Sequence, residues 1–157
     1  MKITLNLKHN VNKYGFLGIC LFIGLMLLVS CGPQAPAGTP KSQVLVNGTV
    51  NVEAGKYYEM PFSVTSAMRD ATVSGSFRAS GGQTNNIEVF ILDDKAFTDW
   101  TNGYQVKPSY YSGRVTEGNI EALVSAQGKY HLVISSVFSV FSSKEVSANV
   151  SLQWYER

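Results

Sequence analysis

Ala71-Thr72-Val73-Ser74-Gly75-Ser76-Phe77-Arg78-Ala79 is the stretch from which the fold is read. Ala71, Val73, Gly75, Phe77 and Ala79 fall on one side, and Thr72, Ser74, Ser76 and Arg78 fall on the other. A period of two is that of a pleated strand with one face buried and one in water. Working outward, the same alternation recurs in both directions. Towards the C-terminus it reaches residues 144–155, with Val146, Ala148, Val150, Leu152 and Trp154 in strict register. Residues 128–134 place Tyr130, Leu132 and Ile134 together, and residues 110–115 and 119–124 read as two further strands joined through Glu117-Gly118. Towards the N-terminus, residues 56–65 align Tyr58, Met60, Phe62 and Val64. Before them, residues 44–46 and 49–53 read as short strands parted by a turn at Asn47-Gly48. Ala54-Gly55 and Ser80-Gly81-Gly82 are the turn signals beside the central stretch, the last read as a hairpin turn.

Residues 86–92 depart from simple alternation. Ile87, Val89 and Ile91 lie on one side, with Phe90 and Leu92 on the other, so this strand is expected to be covered on both faces. The period then changes. Asp93 or Asp94 is a carboxylate suited to capping the first turn of a helix, Ala96, Phe97 and Trp100 sit at helical spacing, and Asn102-Gly103 is a stop signal. One short helix is predicted over residues 95–101. About eight strands and one minor helix predict an all-β, antiparallel β-sandwich of jelly-roll type over residues 44–157.

Upstream of this domain the composition changes. Lys2, Lys8 and Lys13 precede an apolar run over residues 16–29, which closes on Leu28-Val29-Ser30-Cys31. A basic start, an apolar centre and small residues at its end make an export signal, expected over residues 1–30. The closing tetrapeptide resembles the lipobox of bacterial lipoproteins. That resemblance implies that the thiol of Cys31 receives a diacylglycerol, that the signal is cut before it, and that the new amino terminus is acylated. A membrane-spanning anchor is the competing reading, but Gly15, Gly18 and Gly24 dilute the run and Gly32-Pro33 breaks it. Pro33, Pro36, Gly38 and Pro40 then read as a tether over residues 31–43. Both readings put the domain outside the cytoplasm and at a membrane. Gly32, where some lipoproteins carry an Asp that retains them in the inner membrane, leans towards an outer membrane if the cell has one.

Of the 13 Lys and Arg, three leave with the signal, so ten basic residues face 11 acidic ones and no basic patch for nucleic acid is expected. Two cysteines occur in the whole chain; Cys20 lies in the signal and Cys31 carries the lipid, which excludes a disulfide framework and a cysteine zinc site. A Gly-x-Ser-x-Gly elbow and a phosphate-cradling loop are both absent. His131, the one histidine beyond the signal, alternates against Tyr130 and Leu132 and is expected to face solvent rather than act as a base. The domain is therefore read as non-enzymatic, with no cofactor and no catalytic residue.

Two constellations compete for a binding role. Glu88, Asp93, Asp94 and Asp99 supply hard oxygens of the kind calcium takes, but one of Asp93 and Asp94 is used as a cap and the spacing fits no standard loop. No metal is expected. Trp100, Tyr104, Tyr110 and Tyr111, with Phe97 before them, are flat rings suited to stacking on a glycan or anchoring a protein. The three tyrosines are expected to gather at one edge, with Trp100 as their floor or neighbour.

The closing segments also carry a family resemblance. Gly128-Lys129-Tyr130-His131-Leu132-Val133-Ile134, followed by Phe138-Ser139-Val140-Phe141-Ser142-Ser143-Lys144-Glu145-Val146, resembles the C-terminal half of a GOLD (Golgi dynamics) domain. That family closes on a Gly-x-Tyr strand, an aromatic-Ser turn and a Lys-x-Val opening of the last strand. This chain has Ser136 where Asn is common, and it carries the helical insertion over residues 93–101. The Gly-x-Tyr strand is similar, too, to that of bacterial pre-peptidase C-terminal sandwiches, accessory domains of secreted enzymes. The resemblance implies a β-sandwich that binds or adapts rather than catalyses. Alternatives left open are an accessory domain of an envelope enzyme and a purely structural envelope component.

Overall fold

In the computed structural model, residues 38–82 and 84–156 are described; the signal peptide and Cys31 lie outside them. The elements are β1 (Thr39–Val52), β2 (Tyr57–Val64), β3 (Met68–Ser80), β4 (Glu88–Asp93), α1 (Asp94–Thr101), β5 (Tyr110–Tyr111), β6 (Glu117–Leu123), β7 (Gly128–Ser135) and β8 (Lys144–Glu156). The strands form two four-stranded sheets, ordered β1-β8-β3-β6 and β2-β7-β4-β5. Every pairing is antiparallel. The pairs β1·β8, β2·β7, β3·β6 and β4·β5 are those of one long hairpin wound into two layers, which is the jelly-roll form of the β-sandwich.

The alternation of the central stretch does what the pattern predicts. Ala71, Val73, Phe77 and Ala79 are buried, and with Val146, Val150, Leu132, Ile134, Val89 and Ile91 they fill the space between the sheets. Gly75 sits where β8 leaves no room for a side chain on β3: a Cβ there would run into the backbone carbonyl oxygen of Asn149. Asp70 lies at a register break in β3 with φ 53, in the left-handed region that a short polar side chain tolerates.

Four expectations need correction. The first strand begins at Thr39, inside the expected tether, because Thr39–Val44 pair with the tail of β8. Asn47-Gly48 is no turn: β1 runs through it, with Asn47 opposite Asn149 and Gly48 opposite Ala148, and its bulge lies earlier, between Val44 and Val46. Gly81-Gly82 does not make a hairpin either, since β3 and β4 belong to different sheets and the glycines carry the chain across. The strand expected at residues 110–115 shrinks to Tyr110–Tyr111 plus a bridge from Val115 to Ile87.

Sheet β2-β7-β4-β5 is covered on its outer side as well. Phe90, Leu92 and Val133 make a second buried cluster under Ala96, Phe97, Trp100 and Val106. The expected double coverage of β4 is thus met by α1, whose cap is Asp93: its Oδ1 accepts the N–H of Ala96 at 2.7 Å. No helix among the described residues is long and apolar enough to cross a membrane.

Candidate functional site

The site is built on the outer face of β2, β7 and β4. Alternation sends Tyr57 and Glu59, His131, Val133 and Ser135, and Glu88, Phe90 and Leu92 to this side. α1 covers the part nearest Leu92 and leaves the part nearest Ser135 open.

Under the helix lies His131, which is buried, not solvent-facing. Its Nδ1 is 2.6 Å from Glu59 Oε1 and its Nε2 is 3.0 Å from Asp94 Oδ1. Phe97 stacks on the imidazole at 4.0 Å with the planes 10° apart. The strand period pointed this side chain outward correctly; the helix that then lies over it is what the period does not show. The hydrogen bond from His131 and then that from Lys129 hold the Asp94 carboxyl below its ordinary range. The contacts of His131 with Glu59 and Asp94 join β2, β7 and α1.

Each acidic residue considered for calcium has another partner. Glu88 accepts from the Tyr111 hydroxyl at 2.8 Å and from Arg114 Nε at 3.2 Å. Asp93 caps α1, Asp94 faces His131, and Asp99 pairs with Lys95. Among the described residues, no three His, Cys, Asp or Glu side chains gather as a ligand set.

The aromatic group is partly assembled as expected. Beyond the C-terminal end of α1 lies an open groove of about 950 Å³, with Tyr57, Trp100, Tyr104, Glu88, Arg114 and Phe138 among its walls. Tyr57 meets Trp100 edge-on, with centroids 5.1 Å apart. Phe90 packs beneath Trp100 at 5.5 Å and stacks on Tyr111 at 4.7 Å. Arg114 lies over the Phe138 ring at 4.4 Å. Tyr104 is 68% exposed and Tyr111 is 50% exposed, so these two rings face solvent.

Tyr110 does not join them. Adjacent residues of a strand point to opposite faces, so Tyr110 turns towards the core side, where its hydroxyl donates to the Asn119 carbonyl at 2.7 Å. Burial raises its pKa; burial and the Glu88 carboxylate raise that of Tyr111. Tyr57 takes the place expected of Tyr110. Alternation with Met60, Phe62 and Val64 puts Tyr58 on the core face and Tyr57 on the other, but only the pairing of Tyr57 with Ser135 brings Tyr57 beside the helix.

A second feature adjoins the groove. The 136–143 loop contributes Val137 and Phe138 to the groove wall and then exposes Val140 and Phe141, the latter 94% exposed. β1 and β8 pair along their whole length, from Thr39 with Glu156 to Val52 with Lys144. The loop before Lys144 therefore lies at the end opposite Thr39, roughly 40 Å away at about 3.3 Å per residue. No family model matches the sequence, and none of the curated proteins compared with it is similar to it.

Proposed function

We propose that the protein is a non-enzymatic, lipid-anchored module of a bacterial cell envelope that captures a protein partner at the end of its sandwich opposite Thr39. The observation that supports this is a set of exposed apolar side chains, Tyr57, Tyr104 and Val137 in the groove wall and Val140 and Phe141 on the loop that supplies part of that wall. Apolar side chains exposed together mark association surfaces, because leaving them in water costs free energy that a partner recovers. Rigid rings on a covered sheet suit the role, since few rotamers are lost on contact. The lipobox-like Leu28-Val29-Ser30-Cys31 supplies the anchor, and β1 runs from Thr39 to the capturing end. The GOLD-like closing strands agree with an adaptor rather than a catalyst.

Site-specific photo-crosslinking in cells expressing the full chain tests the reading. A crosslinker at Tyr104 or Phe141 is expected to yield a discrete adduct, and one at Thr49 or Ser63 is not. The adduct is expected to disappear when Tyr57, Tyr104 and Phe141 are all changed to Ser while the circular dichroism spectrum stays that of the wild type. Equal labelling at all four positions, or no adduct at either groove position, would refute it.

A further inference from the structure

The opposite face of the molecule carries a different kind of surface. On the outer side of β1, β8, β3 and β6, the register aligns Asn47 with Asn149, Asn149 with Ser76, and Ser76 with Asn119. One row of amides and a hydroxyl thus crosses all four strands. At about 4.8 Å between strands it spans roughly 14 Å. All four residues are exposed, and none of their side chains has a hydrogen-bond partner in the protein among the described residues. The row lies in a depression of about 690 Å³ on the sheet. A second depression of about 570 Å³, with Ser42, Thr72, Ser74 and Gln153 in its walls, continues along the same face.

The charges beside the row are few. Arg78 and Glu117 line the same depression but pair with each other in the next row, and Glu121 stands on the edge strand β6, opposite Ser74. An anion finds no free cation in the row, and a cation finds no carboxylate in its middle. Side-chain amides offer a donor and an acceptor together, and a hydroxyl offers both in one atom. Their complement is a neutral chain bearing hydroxyl and amide groups at regular intervals. An extended peptide is a poorer fit, since its backbone groups are satisfied along a strand edge rather than across a sheet face.

We infer that the outer face of β1-β8-β3-β6 binds a neutral glycan carrying acetamido groups, laid across the strands along Asn47, Asn149, Ser76 and Asn119. This site is separate from the aromatic groove and stands or falls independently of it. The row holds no ring for a sugar to stack on, so hydrogen bonds alone hold the glycan, and a dissociation constant on the order of 1 mM is expected.

The test is a titration of the full chain in detergent micelles with a tetramer of N-acetylglucosamine, followed by the side-chain amide NMR signals. The Asn47, Asn119 and Asn149 signals are expected to shift together and saturably, while the Trp100 indole signal stays in place. Asn149→Ala, an exposed change that leaves the fold unaltered, is expected to weaken binding at least tenfold, and Asn119→Ala to weaken it by a similar factor. The inference is overturned if these signals do not move up to the solubility limit of the sugar. It is equally overturned if the Trp100 signal moves instead, or if a tetramer of glucose lacking acetamido groups binds as tightly.

Discussion

Changing Phe97 to Ala is expected to release α1 from the sandwich without unfolding it. The helix has eight residues, well short of the roughly 12–15 at which isolated helices become even marginally stable. It persists because Phe97 lies flat on His131 and, with Trp100, covers Phe90, Leu92 and Val133. Deleting a fully buried Phe side chain costs about 3–5 kcal/mol, and Phe97 is only half-buried, so the loss is about 2 kcal/mol. That corresponds to a roughly 30-fold rise in the open population of the helix. The core between the sheets belongs to a separate cluster and is untouched. Hydrogen exchange is the assay. Amides of residues 97–101 are expected to exchange roughly 30-fold faster, while those of Leu132 and Ile134 keep their protection. Phe97→Leu is expected to recover most of the loss. If the β7 amides lose protection in parallel with the helix, α1 and the sandwich unfold as one unit and the reasoning fails. If the helix amides do not change at all, the stacking on His131 contributes nothing, and it fails in the other direction.

Three further expectations concern other parts of the chain. Leu132, fully buried between the sheets, is expected to lose about 2–5 kcal/mol on change to Ala, a large share of a total near 5–15 kcal/mol, visible as a markedly lower melting temperature. Because His131 and Lys129 depress the Asp94 carboxyl below its ordinary value of 3.8, the unfolded chain binds the proton first. The stability this contributes is complete above pH 3.8 and is lost as pH falls through the depressed value, so Asp94→Asn should flatten the acid limb of a pH–melting curve. An unchanged limb would mean that Asp94 is not coupled to folding. Finally, Cys31→Ala is expected to leave an uncleaved, unacylated precursor by intact-mass measurement; a wild-type chain that retains Met1 in the membrane fraction would rule out the lipoprotein reading.

How much of this was legible beforehand follows the range of the interactions involved. Which residues face inward was readable at Ala71, Val73, Phe77 and Ala79, at Val146, Val150 and Leu152, and at Tyr130, Leu132 and Ile134, because alternation is a local property of the extended chain. The cap was readable for the same reason to within one residue, Asp93 or Asp94, since a carboxylate and the N–H three residues on are held together by one turn of helix. Pairing is not local. Only β4 and β5 are both neighbours in sequence and partners in a sheet, so the glycines at residues 48, 55, 81 and 82 all read as turns, and pairing alone shows that β1 runs through Gly48 and that the other three lie where the chain passes between sheets. The two surfaces depend on pairing as well. Asn47, Ser76, Asn119 and Asn149 lie on four different strands and become a row only through register, and Tyr57 reaches Trp100 only because β2 pairs with β7 beside the helix. His131 shows the division most plainly. Its side of the strand was determined by its parity with Tyr130 and Leu132, but its burial was decided by Phe97, Asp94 and Glu59, brought over it from sites 34, 37 and 72 residues away by the packing of the helix and the edge strand.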